Sequence, residues 1–358
     1  MGRQNSIDFI KFFLGIAIIL HHFNFIFLGG YLAVEGFFMI TGFLMMNSVY
    51  KKQDDAPGTT ARFVLHKYLT IALPLFFSAI SGFLIYELAL YQNSLSSMLP
   101  NVKLLLYEIV PLQIVGYSAY YATGVSWYLA SMLISTALLY PLAKKTPESF
   151  AYSFCPFAAI LIYGFIYAQC GHLSVPYLWV LNGLVNTGLL RGIAGISSGC
   201  LLYALVRRSE THKTPTIAMR IFYTILELLG WYALIRLMTT EKLAKTSTDF
   251  IFVPIMFAVL YLAFSKKTLF ALFINHKWTT IFSTFSTYMY LNHYAWAQYF
   301  IIKHADKPQT KLLPWYVLCI IVSSACVYGL TKLTEWIIAK IRFYKKEEKK
   351  AEIPSSSN

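Results

Sequence analysis

The chain has 358 residues, of which 57% are hydrophobic, 17% aromatic and only 13% charged. A soluble globular domain carries about 25% charged residues, so this composition excludes an ordinary soluble fold and predicts an all-α, polytopic membrane helical bundle. The net charge of +14 falls in short clusters between apolar runs, a pattern that sets membrane topology and favours anionic lipid surfaces but builds no nucleic-acid face.

A span needs about 20 apolar residues. In chain order the segments that qualify are 7–28, 30–50, 64–91, 125–143, 152–170, 190–206, 217–238, 248–265, 281–302 and 314–340. The first run lacks a small-residue cleavage motif after it and is read as a retained helix. The stretch 101–118 is apolar but short and contains Pro111, so it is expected to be interfacial or re-entrant. Basic residues test the count. Arg3, then Lys51, Lys52, Arg62 and Lys67, then Lys144 and Lys145, then Arg207, Arg208 and Lys213, then Lys266, Lys267 and Lys277, then the tail from Arg342 all fall on one side of a ten-span arrangement. The opposite loops are poorer, with no Lys or Arg in 171–189. The positive-inside bias then puts both termini in the cytoplasm. Residues 1–342 read as one transmembrane domain, and 343–358 as a charged, then Ser-rich, disordered tail.

The five cysteines form no CxxC pair and lie mostly in apolar spans. They read as small apolar fillers, neither a disulfide framework nor a metal site.

Polar residues in the first two spans carry the chemistry. Lys11 and His22 are eleven residues apart, which is 20° past three turns at about 100° per residue, so they share a face about 16 Å apart along the axis. Asp8 precedes Lys11 by one turn, where an acid and a base can pair or snorkel together at a helix end. His21 points about 100° away. Glu35 enters the second span after the Gly29-Gly30 turn, and hairpin geometry is expected to bring it beside His22. A carboxylate there orients the imidazole and raises its basicity, which makes a general base. The bland alternative is a core histidine satisfied by a neighbouring helix. His293 poses the same choice. Arg191 reads as a snorkelling residue or as a group that orients a sugar or phosphate, and Trp127 and Tyr128 as an aromatic belt or a sugar-stacking pair. Arg220 and Glu227, seven residues apart, read as a structural pair.

The stretch "IDFIKFFLGIAIILHHF" followed by "GGYLAVEGFFMITGFLMM" resembles the opening of the membrane acyltransferase-3 family. That family has an acid three residues before a basic residue, ten residues, then His, matched by Asp8, Lys11 and His22. Its next helix has a Gly-rich turn, an acid, two aromatics and a small-Gly-Phe-Leu run, matched by Gly29, Gly30, Glu35, Phe37, Phe38, Thr41, Gly42, Phe43 and Leu44. Weaker similarities follow in order through Lys67 and Pro74, Trp127, Arg191 and Gly199, and Ser286, Tyr290, Leu291 and His293. The chain departs from the pattern at Lys11, where Arg is usual, at Glu35, where Asp is common, at Ile71 for Arg and at Ala295 for Pro.

The resemblance implies an O-acyltransferase of a bacterial cytoplasmic membrane. It implies no bound cofactor, acetyl-CoA or another acyl-CoA as co-substrate, and a glycan or glycolipid as acceptor. It makes His22 the base or transient acyl carrier, with Glu35 and Lys11 beside it and Asp8, His293 and Arg191 in support. Lys67, Arg62 and His66 would receive the anionic donor, and Trp127 and Tyr128 the acceptor. Buried ionisable residues also suit a proton-coupled transporter or flippase, although no matched pair of interrupted helices is seen. A non-catalytic scaffold would not need them. Oligomeric state and the identity of the glycan are left open.

Overall fold

The computed structural model describes residues 5–51, 59–110, 113–115, 122–210, 215–270 and 278–351. Arg3, Pro111, Lys52, Lys213 and Lys277 lie outside them, as do residues 352–358. The protein is an all-α polytopic bundle. Each of the ten apolar segments contains one long helix: α1 Asn5–His22, α2 Ala33–Lys51, α3 Thr59–Leu84, α4 Ser126–Lys145, α5 Cys155–Cys170, α6 Thr187–Ser209, α7 Ile217–Thr239, α8 Asp249–Phe264, α9 Trp278–Lys303 and α10 Gln309–Ala351. Among the described residues eight helices are long and apolar enough to cross a membrane. α8 is short, with 16 residues, and α9 interrupts its apolar sequence with Ser283, Ser286, Asn292 and His293. The only sheet among the described residues pairs β1 Trp179–Val180 antiparallel with β2 Val185–Asn186, in the turn between α5 and α6.

Two boundaries differ from the sequence reading. The first span ends at His22 rather than 28, because the chain turns through Asn24 and Ile26, both with positive φ. Gly30 then passes so close to α1 that a Cβ would strike the Ala17 carbonyl, while the Gly29 N–H donates to the Met238 carbonyl at 2.8 Å. The described part of 101–118 holds a 3-10 turn Leu99–Leu104, the short helix Leu105–Ile109 and a turn Gln113–Val115; none is long enough to cross, in keeping with a segment expected not to span. The charged stretch after Arg342 continues α10 as far as Ala351, since Lys, Glu and Ala favour helix over coil.

The centre of the bundle is α2 against α6. Here Gly195 and Gly199 are spaced four apart on α6, the small-xxx-small pattern that lets apolar helices approach closely. A Cβ on Gly199 would strike the Met39 carbonyl, one on Gly42 the Ile196 carbonyl, and one on Gly195 would come within 2.6 Å of Phe38 Cβ. The Cys200 thiol lies 3.6 Å from the Gly42 carbonyl. Between lipid-like surfaces dispersion has to hold helices together, and this proximity provides it. Around the pair, α4 and α5 flank α6, while α1 packs on α9, and α9 on α3 and α10. Phe23 stacks on Tyr316, whose hydroxyl donates to the Ile19 carbonyl at 3.0 Å.

Adding one methyl at this seam forces the two helices apart. Gly199→Ala and Gly42→Ala are each expected to cost about 1–3 kcal/mol. Gly164→Ala on α5, where an added Cβ meets nothing within 4 Å, is expected to stay within about 0.5 kcal/mol. Thermal unfolding of the purified variants in detergent makes the comparison.

Candidate active site

His22 is the last residue of α1, where the helix ends and the chain turns away. Its Nδ1 lies 3.1 Å from the Ile18 carbonyl and 3.0 Å from Nε2 of His293. His293 is fully buried on α9, and its own Nδ1 lies 2.7 Å from the Tyr290 carbonyl. A carbonyl only accepts, so the proton of neutral His293 sits on Nδ1 and its Nε2 carries the lone pair. That lone pair takes the hydrogen bond donated by His22 Nδ1–H. In turn the proton of neutral His22 is fixed on Nδ1, and its Nε2 is left with a lone pair. The Ile18 carbonyl and the chain from Tyr290 through His293 thus both favour the tautomer that a general base needs. The ring of Tyr294 meets His22 edge-on at 5.2 Å.

His22 lines a cavity of about 180 Å³ together with His21, Tyr31, Trp127, Arg191 and Tyr290. We call it the histidine chamber. Ser174 and Pro176, from the turn between α5 and α6, complete its wall. That turn is tied down by Asp249 at the start of α8, which accepts from the Leu173 N–H at 2.9 Å and from the Tyr31 hydroxyl at 2.8–2.9 Å. The Tyr31 oxygen accepts in turn from Lys245 N–H at 2.6 Å. His21 lines the same chamber, its ring 5.2 Å from that of His22, and its Nδ1 meets the Phe27 carbonyl at 3.2 Å.

Glu35 corrects the sequence reading. Its carboxylate does not hold the His22 imidazole. Oε1 takes the Nε–H of Arg191 at 2.7 Å, and Oε2 accepts from the Tyr163 hydroxyl of α5. The cause is helical phase. Glu35 and Gly42 are seven residues apart, about 20° from the same direction, and Gly42 marks the face of α2 pressed against α6. The carboxylate therefore points at Arg191, which is 1% exposed and does not snorkel. Arg191 also donates through Nη2 to the Tyr31 carbonyl at 3.4 Å and lies 5.3 Å from the Trp127 ring centre. Two of its five N–H groups are so engaged; the others belong to a guanidinium that lines the chamber beside His22. Such a donor can stabilise a developing oxyanion. Arg220 and Glu227 also do not pair: Arg220 donates to the Lys266 carbonyl at 3.3 Å.

A second cavity, of about 210 Å³, lies toward the Lys- and Arg-rich end of the bundle. Lys11, Lys67, Thr41, Phe37, Tyr128 and Tyr290 are among its walls; we call it the basic chamber. The two lysines from α1 and α3 meet in one place. Asp8 is buried one turn before Lys11. Arg62 and His66 are exposed on α3 and line neither chamber. Trp127 and Tyr128 are consecutive, point about 100° apart, and end up in different chambers, so they do not form one stacking platform. Tyr290 belongs to both walls. The sequence reading missed it as a site residue, as it missed Tyr31, Tyr163 and Asp249. Tyr290 had one signal, its place one turn before His293. The others had none, because their partners are far away in the chain.

A family model described as an acyltransferase domain, Acyl_transf_3, matches residues 4–332. No curated protein and no solved structure matches the chain.

Removing one partner of a buried ion pair leaves an uncompensated charge, at a cost of about 3–5 kcal/mol. Glu35→Ala is expected to lose stability on that scale. The double variant Glu35→Leu with Arg191→Met, which removes both charges, is expected to lose clearly less. Thermal unfolding of both in the same detergent makes the test.

Proposed function

The chain belongs to the membrane acyltransferase-3 family and is a membrane O-acyltransferase, and on that premise we propose that it moves a short acyl group from acyl-CoA to a hydroxyl of a cell-surface or secreted glycan, with His22 as the base. The observation that carries this reading is the His22 imidazole. Its tautomer is fixed by His293, and it lines a chamber with a buried guanidinium, one wall away from a chamber with two lysines.

In this reading the basic end of the bundle faces the cytoplasm of a bacterial cell. Acyl-CoA approaches there, and Lys11 and Lys67 attract its phosphates. Its thioester reaches the histidine chamber. The acceptor hydroxyl enters that chamber from the opposite side, and His22 Nε2 removes its proton as the oxygen attacks the thioester carbon. The oxyanion forms beside Arg191. When it collapses, the carbon–sulfur bond breaks and the CoA thiolate takes the proton held by the imidazolium. The products are the acyl ester and CoA thiol. The same lone pair could instead take the acyl group first and hand it on as an acyl-imidazole; the parts used are identical. His293 acts through His22 as a positioning residue. Glu35 acts through Arg191 in the same way.

General base catalysis contributes about 10²–10⁴ in rate. His22→Ala, with unchanged thermal unfolding, is therefore expected to lose transfer of labelled acetyl from acetyl-CoA to a bacterial glycolipid extract by that factor. Transfer at the wild-type rate in this variant would remove His22 from the reaction.

A further inference from the structure

The two chambers share Tyr290 as a wall. Three aromatic rings stand between them: Phe37 of α2, Tyr128 of α4 and Tyr290 of α9. Their centres are 5.9 Å apart for Phe37 and Tyr128, 5.8 Å for Phe37 and Tyr290, and 6.4 Å for Tyr128 and Tyr290. Those are ordinary ring-contact distances, so the three rings are in mutual contact. Phe37 and Tyr128 wall the basic chamber, while Tyr290 walls both. Val34 and Val125 line the histidine chamber together with Tyr290. No charged side chain belongs to the triad.

We propose that Phe37, Tyr128 and Tyr290 form a barrier that keeps water on the lysine side from following the thioester to His22. The proposal rests on the acyltransferase reading above. In that reading the thioester must pass from the lysine side to His22, and the triad lies across its way. The rings part for the slender CoA arm and close around it. Without the arm they close the way between the chambers, and with the arm they leave no gap through which water from the lysine side joins thioester and imidazole. Hydrolysis needs just that meeting. A water oxygen would bond to the acyl carbon, the carbon–sulfur bond would break, and free acid and CoA thiol would result. Exclusion of water from such a site suppresses this side reaction.

Tyr290 links the layer to the base. Its ring belongs to the triad and lies 5.7 Å from the His293 ring, while its carbonyl receives the His293 Nδ1–H. One helical turn therefore carries both the barrier and the group that positions His22. Phe37 makes no hydrogen bond, so its truncation opens the layer without touching the relay.

The test uses the full chain in sealed proteoliposomes. Phe37→Ala and Tyr290→Ala are expected to raise hydrolysis of labelled acetyl-CoA, with no acceptor present, by about tenfold or more over wild type. Phe37→Leu, which keeps an apolar plug, is expected to stay near wild type. A second readout needs no enzyme activity: both alanine variants are expected to speed the decay of an imposed pH gradient, followed with entrapped pyranine. Unchanged gradient decay in both, with wild-type thermal unfolding, overturns the barrier whatever the enzyme assays give. Faster gradient decay alongside a wild type that transfers acetyl to no glycan would instead sustain the barrier and overturn the acyltransferase mechanism.

Discussion

A guanidinium deep inside a membrane bundle has to have an anion beside it. Here Glu35 is that anion, and the ion pair decides how the site is built. It joins α2 to α6 at the point where both are about to interleave their glycines, and Tyr163 brings α5 to the same carboxylate. Three helices are thereby fixed in register around one charge pair. The close seam through Gly42, Gly195 and Gly199 could not form if α2 slipped by a turn, because the carboxylate would lose its partner. Arg191 is held rigidly enough to serve as a wall of a reaction chamber. Preorganised donors of this kind act without reorganising during the reaction.

The pair also decides what His22 can do. Because Arg191 occupies the carboxylate, the imidazole is oriented by a second imidazole instead. His293 fixes the tautomer through the Tyr290 carbonyl and adds no fixed negative charge to the chamber. Orientation and charge compensation are thus separated. The acid serves the guanidinium, and a neutral relay serves the base. The chambers divide along the same line: lysines for an anionic donor on one side, an imidazole and a guanidinium for the transfer on the other, and aromatic rings between them.

Much of this was legible in the sequence. Each of the ten apolar segments holds a helix among the described residues, and eight of these are long and apolar enough to span, since the apolar length needed to cross a membrane is a strong constraint. The 1100° between Lys11 and His22 separated His22 from His21, and the two histidines do face different partners. Lys11 and Lys67 did converge, although nothing in their spacing required it. The pairing of Glu35 was misread because it was argued from proximity across a hairpin. A 3-10 turn at Gly30–Leu32 and the phase shared with Gly42 turn the carboxylate toward α6, and neither is visible without the packing partner. Trp127 and Tyr128 were grouped because they are adjacent, yet adjacency on a helix means divergence. The contacts of Tyr163 and Asp249 join residues more than 70 positions apart, a distance over which no local pattern in one sequence carries information.

The central claim is that His22 and His293 work as one unit in the transfer. A double-mutant cycle on the transfer rate tests it most directly, using His22→Ala, His293→Ala and the double variant. A positioning residue has nothing left to position once its target is gone, so the losses of a unit are strongly non-additive. The account predicts that His293→Ala slows the wild type but adds almost nothing to the loss in His22→Ala. Two full, additive losses would contradict it, because His293 would then act on the reaction by a route that does not pass through His22.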